Sequence, residues 1–305
     1  MKKRTSLLQV INRKTLPLHL MLLPGVLLVF VYCYIPMAGI VIAFQDFRPL
    51  GGLFNARWVG LENFEFIFNY PGFRQALWNT VYISFMKIVL GLFVPIVISL
   101  LLNEVRLQFF KRGIQTLIYL PHFLSWIILS GILIDILSPK TGIVNQSLGV
   151  FGIEPIFFLG DNRWFPITLV ISDVWKEFGF STIIYLAALT SISPTLYEAA
   201  VMDGAGRWRQ TWYITLPGMR PIIVLMVTLS LGNVLNAGFD QVFNLYNPIV
   251  YESGDIIDTM VYRFGIVDAQ YSVATAMGLF KSVVSFVFIS SAYWLAYRFA
   301  NYRIF

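Results

Sequence analysis

Long apolar runs separated by short polar segments make up most of this chain. A helix that crosses the hydrocarbon core of a bilayer needs about 20 mostly apolar residues, and each run is of that length. The pattern predicts an all-α, polytopic membrane protein with an N-terminal segment at 1–17 and one membrane domain at 18–305. Its predicted spans, called spans one to six in chain order, cover residues 18–44, 79–103, 115–137, 165–189, 221–239 and 277–299.

The composition agrees with a lipid-embedded chain. Charged residues make up only 12% of the sequence and hydrophobic residues 57%, whereas soluble domains carry roughly 25% charged residues. The first run follows basic residues but is too long for the apolar part of a signal peptide, and no small-residue cleavage site follows it, so we expect it to remain as span one. The single cysteine, Cys33, excludes an intramolecular disulfide.

The positions of the charged residues predict the orientation of the chain. Short loops on the cytoplasmic side of a membrane retain Lys and Arg. If both termini are cytoplasmic, the inner segments hold thirteen basic residues and only three acidic ones, whereas the outer loops hold six basic and ten acidic residues. We therefore expect cytoplasmic N- and C-termini. The net charge of +6 is explained by this topology, and no nucleic-acid partner is predicted.

The loop 190–220 between spans four and five predicts a helix–turn–helix. Ser193 followed by Pro194 is typical of a helix start, and Gly204 permits the backbone reversal that ends the helix. A second helix follows, with Trp208, Trp212 and Leu216 on one face. Pro217 is predicted to close this helix, and Pro221 to open span five. From these residues alone, an amphipathic loop resting on the membrane surface explains the pattern equally well.

This loop resembles the "EAA" loop of binding-protein-dependent ABC importer permeases, on the residues Glu198, Ala199, Ala200, Asp203, Gly204, Ala205, Ile214, Leu216 and Pro217. The resemblance implies the type I importer permease architecture. It also implies that the loop docks on an ATP-binding subunit: Glu198 makes a polar contact, Ala199 and Ala200 allow close seating, and Gly204 provides the turn. Trp212 departs from the family pattern, in which Phe is common, but keeps an aromatic anchor.

The segment 232–243, GNVLNAGFDQVF, followed by Tyr246, Asn247 and Pro248, is similar to the oligosaccharide, maltose-permease-like branch of that family, and within it to permeases for uronide-containing oligosaccharides. The resemblance implies a set of partners: a second homologous permease in a heterodimer, two ATP-binding subunits, an extracytoplasmic solute-binding protein and an oligosaccharide. It implies a bacterial cytoplasmic membrane as the location.

Charged residues inside spans are costly and mark functional candidates. Span four carries Asp173, Lys176 and Glu177, spaced so that Asp173 reaches the other two; this group either neutralises itself or lies on the transport pathway. Lys87 in span two and Lys281 in span six either extend to the membrane surface or join Lys176 around a cavity that attracts acidic sugars.

Amides follow in span five. Asn233 and Asn236 are three residues apart, so they are predicted to share a helix face, where they either bind sugar hydroxyls or hold helices together. Asp240 and Gln241 are pathway candidates at the outer mouth. His122, beside Pro121, is interpreted as structural. The two histidines and the single cysteine form no metal-ligand cluster, since His19 and Cys33 lie 14 residues apart in span one and His122 lies in span three, so no metal site is predicted.

The chain has no G-x-x-x-x-G-K-[ST] motif, so ATP and Mg are expected in the partner subunits and no cofactor in this chain. We therefore predict a non-catalytic subunit. Two alternatives remain open. An ion-gradient-driven secondary sugar transporter would use Asp173 or Glu177 as its ion site but usually shows repeat symmetry, which is not found here. A membrane-embedded sugar-modifying enzyme would need a catalytic pair, and only Asp173 and Glu177 are available.

Overall fold

A computed structural model describes residues 16–52 and 55–300, which leaves all but the last two positions of the predicted segment 1–17 outside the described residues. Of these described residues 79% are helical, which confirms the predicted all-α class. Its helices are α1 Leu16–Phe44, α2 Glu62–Asn69, α3 Pro71–Glu104, α4 Gln108–Phe123, α5 Trp126–Ile136, α6 Ile143–Val150, α7 Trp164–Thr190, α8 Pro194–Met202, α9 Arg207–Leu231, α10 Phe239–Leu245, α11 Tyr251–Gly254, α12 Ile257–Tyr262 and α13 Tyr271–Ala300.

Short elements complete the described chain. The strands β1 Gln45–Asp46 and β2 Arg57–Trp58 pair antiparallel, with Gln45 opposite Trp58. Single 3-10 turns occur at Pro49–Gly51 and Pro248–Val250. A π-helical turn at Arg263–Val267 extends α12. These elements lie in the connections between the long helices and do not form a separate layer.

The long helices reproduce the predicted spans, with two corrections. Four helices, α1, α3, α9 and α13, are long and apolar enough to cross a membrane alone, and two bent pairs, α4 with α5 and α7 with α8, bring the candidates among the described residues to six. The predicted continuous span three is wrong, because α4 and α5 meet at an angle of 106°. Span five begins earlier and ends earlier than predicted, since its helix runs from Arg207 to Leu231.

Proline residues explain why two of these helices change their winding. In α9 the turn Thr211–Thr215 is π-helical, and the amide of Leu216, just before Pro217, bonds to the carbonyl of Thr211 five residues back. In α1 the turn Phe30–Tyr34 is π-helical, and Ile35, before Pro36, likewise bonds to Phe30. A proline ring collides with the carbonyl four residues back, and a wider turn relieves the collision. Pro217 therefore does not end its helix, contrary to prediction.

The helices α3 and α7 pack along each other more extensively than any other pair of described elements. Buried apolar side chains from both helices, including Ile83 and Leu169, join α5 and the segment after α9 in the largest core cluster. Where α4 crosses α7, the backbone of Ile118 lies so close that a Cβ on Gly179 would be 1.9 Å from its carbonyl oxygen. Only glycine allows this crossing.

A second buried cluster joins the short helices after α10 to α3. The Arg263 guanidinium donates to Asp255 Oδ2 at 2.5 Å, and Thr259 Oγ1 donates to Asp255 Oδ1 at 2.7 Å. The Asn79 amide of α3 donates to the backbone oxygens of Glu252 and Asp255, each at 3.0 Å. Charge pairing and these amide bonds hold the segment 251–263 against the end of α3 that lies opposite Glu104.

The contact at Gly179 gives a direct test of this packing. We expect Gly179→Ala to lower the melting temperature of the purified protein, because the added carbon meets backbone that cannot rotate away; overpacking of this kind costs about 1–3 kcal/mol or more. The matched control is Gly113→Ala in α4, where an added Cβ meets no heavy atom within 4 Å. A thermal melt in detergent with both variants unchanged would contradict the α4–α7 crossing.

Candidate functional site: a polar cavity and an exposed helical loop

The helices α3, α7 and α9 surround a cavity of about 460 Å³. Volumes of roughly 300–1,000 Å³ are typical of ligand sites. The seven-residue segment 232–238 that follows α9, here called the span-five break, closes one side of it. The lining residues are Ser84, Lys87, Ile88, Gly91, Leu92, Asp173, Glu177, Ser181, Met226, Ser230, Asn233, Asn236 and Gly238.

Lys87 lies at the centre of this wall, with only 8% of its side chain exposed. Its Nζ donates to Asp173 Oδ1 at 3.1 Å and to the carbonyl oxygen of Ala237 at 2.7 Å, and it also bonds to Gln241 Oε1. Lys87 therefore points into the protein and does not extend to the membrane surface, which was one of its two predicted roles. An ammonium group has three donors, and all three are in use.

The charges of span four pair differently from the prediction. Asp173 reaches across to Lys87 of α3 and makes no bond to its helical neighbour Lys176. Lys176 donates to Glu177 Oε1 at 2.8 Å and to the carbonyl oxygen of His122 at 3.0 Å. The alternative interpretation, in which all three lysines line one cavity, is also not what the structure shows. Lys87 alone of the three lines it, and Lys281 pairs with Asp258.

His122 is a member of this network that sequence reasoning assigned only a structural part. Its Nδ1 lies 2.8 Å from Glu177 Oε2, and its ring stacks on Phe180 at a centroid distance of 4.2 Å. The residue stands next to Pro121, one residue before the end of α4, where the chain bends into α5. The proline was the available signal that a helix end, with free carbonyls, lies here.

The asparagines reach the cavity by a different route from the one predicted. The helix ends at Leu231, so Asn233 and Asn236 share no helix face; they lie in the span-five break, and both are exposed to the cavity. Gly238 ends the break with φ +89°, a conformation that L residues with a side chain rarely adopt. The amides are thus presented from irregular backbone.

Asp240 and Gln241, just beyond the break, differ in their exposure to solvent. Asp240 is exposed at the start of α10. Gln241 is fully buried, and its amide donates to the carbonyl oxygen of Leu169 and to Ser172 Oγ, both at 2.8 Å. Gln241 therefore joins α10 to α7 inside the protein, which corrects its prediction as a pathway residue.

The predicted helix–turn–helix is present in the loop between spans four and five. The helix α8 ends in a Schellman motif: the amide of Ala205 bonds to the carbonyl of Ala200 at 2.8 Å, and that of Gly204 to Val201 at 3.0 Å. Gly204 adopts φ +74° as this motif requires. Ser193 occupies the N-cap position, but its hydroxyl makes no bond to the helix backbone.

The side chains singled out on this loop are available for contact. Glu198, Ala199 and Asp203 are exposed, and Ala200 and Ala205 are partly so. Trp212 is 63% exposed on the first turns of α9. Tyr197 bonds to Thr215 Oγ1 at 3.0 Å, and Arg207 forms an ion pair with Glu104 at the end of α3. These two bonds join the loop to α9 and α3 and leave its opposite surface free.

Within the described residues, no group of three His, Cys, Asp or Glu side chains is arranged to hold a metal ion. The candidate site therefore has two parts, a polar cavity between the long helices and an exposed helical loop at one end of the same helices. The 25-residue helix α9 connects them, since it begins just after the loop and ends at the span-five break.

Sequence comparisons agree along almost the whole chain. Residues 91–301 match the family described as "Binding-protein-dependent transport system inner membrane component". The chain is 42% identical over 304 residues to the polygalacturonan/rhamnogalacturonan transport system permease protein YteP of Bacillus subtilis (strain 168), with 100% of this chain and 94% of that protein covered. It is also 42% identical over 288 residues to protein LplB of the same organism, with 94% and 91% covered.

Two solved structures share the fold. A crystal structure of a bacterial ABC transporter involved in the import of the acidic polysaccharide alginate contains a chain with TM-score 0.87 and 38% identity, covering 94% of this chain and 97% of that one. A second crystal structure shows a bacterial alginate ABC transporter in complex with an alginate pentasaccharide-bound periplasmic protein; its matching chain has TM-score 0.86 and 37% identity, covering 94% and 96%.

The turn at Gly204 can be tested by substitution. We expect Gly204→Ala to destabilise the end of α8, because a left-handed residue with a side chain costs roughly 1–2 kcal/mol. Gly206→Ala is the matched control, since Gly206 has φ −67° and an added Cβ meets nothing within 4 Å. Hydrogen exchange of the α8 amides should rise about tenfold in the first variant and stay unchanged in the second; equal exchange in both would contradict the Schellman assignment.

Proposed function

The chain belongs to the family of binding-protein-dependent transport system inner membrane components, and we propose that it carries oligosaccharides across the bacterial cytoplasmic membrane as one subunit of an ATP-driven importer. As a member of this family it is a non-catalytic, multi-pass permease subunit. The observation that carries the proposal is the exposed α8 turn, with Glu198, Ala199 and Gly204, on a chain that matches the family over residues 91–301.

The importer would need other subunits. We propose a second, homologous permease, in a heterodimer with this chain, and two ATP-binding subunits that hold ATP and Mg. Delivery by an extracytoplasmic solute-binding protein is supported by a similar chain that occurs in a transporter complexed with a saccharide-bound periplasmic protein. The exposed surface of α8, which neither α3 nor α9 covers, is the proposed contact with an ATP-binding subunit.

The proposed orientation follows from charge. Basic residues cluster near the α8 end of the long helices: Arg106, Arg207 and Arg209 lie in or beside the connections there, Arg112 lies in the first turns of α4, and Arg220 lies within α9. The acidic segment 240–268 lies at the other end. By the positive-inside rule, α8 then faces the cytoplasm together with both termini.

The cavity wall favours a ligand rich in hydroxyl groups. Asn233, Asn236, Ser181 and Ser230 line it with neutral groups that donate and accept hydrogen bonds, as sugar hydroxyls require. Its charged residues already have partners: Asp173 pairs with Lys87, and Glu177 pairs with Lys176 and His122. This wall therefore suits the sugar rings and hydroxyls, and we propose that cations for an acidic sugar come from the second permease.

Transport would proceed by alternating access. Closure of the ATP-binding subunits moves α8, and α9 carries the movement to the span-five break at the cavity. The rival function, an ion-gradient-driven secondary transporter, would use Asp173 or Glu177 as a free ion-binding carboxylate. Both carboxylates are occupied in salt bridges, which argues against that role.

The whole proposal is tested by reconstitution of this chain with the second permease, ATP-binding subunit and binding protein encoded next to it. We expect ATPase activity to rise several-fold with an acidic or neutral plant-type oligosaccharide, and only when the binding protein is present. The measurement is phosphate release, with each oligosaccharide added in turn. Gradient-driven uptake by this chain alone, without any ATPase, would overturn the proposal.

The docking role of α8 has its own test. We expect Ala199→Arg to abolish co-purification of the ATP-binding subunit, because a long charged side chain prevents close seating of the exposed helix. Gly149→Arg serves as the control, since Gly149 is exposed near the end of α6, and an added Cβ there meets nothing within 4 Å. Retained co-purification in the Ala199 variant would show that the ATP-binding subunit sits elsewhere.

A further inference from the structure

The span-five break leaves backbone groups without helical partners at membrane depth. The helix α9 ends at Leu231 and α10 begins at Phe239, so the carbonyl groups between them cannot all be bonded within a helix. In the hydrocarbon region no water is available to bond them, and irregular backbone persists only where protein groups or a water-filled cavity satisfy it. A carbonyl of this segment that is buried, as at Ala237, therefore needs a donor from the protein.

Lys87 is that donor. Its Nζ bonds to the carbonyl oxygen of Ala237 at 2.7 Å and to Gln241 Oε1, which places one ammonium group on both the break and the following helix α10. A Cβ on Gly238 would be 3.0 Å from the same nitrogen, so Lys87 is packed closely against the turn. Ala237 itself is fully buried.

The partners of Lys87 are themselves fixed. The side chain of Gln241 is held by α7, at Leu169 and Ser172.

 The amide of Gln241 donates to the carbonyl oxygen of Leu169 and to Ser172 Oγ, both at 2.8 Å. Asp173, which follows Ser172 directly in the same helix, accepts a hydrogen bond from Lys87 Nζ at 3.1 Å and balances the charge of the lysine. The side chain of Lys87 therefore joins α3 to α7, to the break and to α10. Two of its three partners are fixed by α7, since Asp173 lies on that helix and Gln241 bonds to it.

We propose that Lys87 is a positioning residue, which holds the span-five break in the shape that presents Asn233 and Asn236 to the cavity. This inference rests on the proposed import function, since it assigns a part within the same pathway. All three donors of the ammonium group are used inside the protein, so Lys87 holds the substrate-facing segment and does not itself bind the sugar.

Two other roles for Lys87 predict different results. If Lys87 only neutralised Asp173, removal of both charges would restore transport. If Lys87 bound a sugar carboxylate, its removal would impair transport of acidic oligosaccharides and spare neutral ones. A positioning residue predicts neither: the carbonyl of Ala237 still lacks its donor after both charges are removed, and neutral and acidic oligosaccharides are affected alike.

The test uses the variant Lys87→Met/Asp173→Asn, which leaves no unpaired charge at membrane depth. The matched control is Lys281→Met/Asp258→Asn, which removes the other lysine–aspartate pair described for these helices, one that does not contact the break. Both are compared with the parent in the reconstituted importer, with KM and maximal rate of uptake measured for one neutral and one acidic oligosaccharide.

A second readout reports the break directly and needs no transport. Cys33 is the single cysteine, so Ala237→Cys in a Cys33→Ser background gives one thiol, at a position that is fully buried in the parent. Ala276→Cys, at an equally buried position in α13, is the control reporter. Labelling by a water-soluble maleimide is measured in membranes that contain the permease.

We expect the Lys87/Asp173 variant to label Ala237→Cys at least tenfold faster, with Ala276→Cys unchanged, and to lose at least tenfold in maximal uptake rate for both oligosaccharides. The Lys281/Asp258 variant should label as the parent does. Unchanged labelling at position 237, restored uptake, or loss confined to the acidic oligosaccharide would each overturn the proposal. Failure of the parent to show ATP-driven uptake would instead contradict the import function, and the labelling result would still stand.

Discussion

The structure depends on one constraint: backbone groups at membrane depth must find their partners within the protein. Two of the predicted spans are interrupted, at the end of α4 and after α9, and each interruption leaves a carbonyl group without a partner in its own helix. In both places a lysine supplies the donor, Lys176 to His122 and Lys87 to Ala237. The lysines are in turn balanced by Glu177 and Asp173, which stand on the same helix, α7.

The helix α7 therefore organises the membrane domain. It packs along α3 and allows α4 to cross closely at Gly179. It also carries the two carboxylates that pair with the buried lysines and offset the cost of burying their charges in a low-dielectric medium. Charged residues inside a membrane protein often indicate a substrate path. Here the same residues also explain how irregular backbone persists beside a cavity, so structural and transport roles are not alternatives for Asp173 and Glu177.

The sequence was sufficient for the all-α class and the number of candidate spans, because apolar length decides both. It was also sufficient for the turn of α8, where Gly204 has a local conformational requirement. It did not reveal the break after Leu231, because Val234, Leu235 and Ala237 keep the segment apolar and it reads as a continuing helix. Nor did it reveal the pairing of Lys87 with Asp173, 86 residues apart, since such a partner is set by helix packing.

The helix α9 has a mechanical consequence. It runs unbroken for 25 residues, about 37 Å at 1.5 Å per residue, from the turn after α8 to the edge of the cavity. A rod of this length transmits tilt from one end to the other, and the wider turn at Thr211–Thr215 is its one point of altered winding. Ser230 lies further from that turn than Arg207 does. A rocking motion about the turn would therefore move Ser230, next to the asparagines of the span-five break, sideways by more than it moves Arg207.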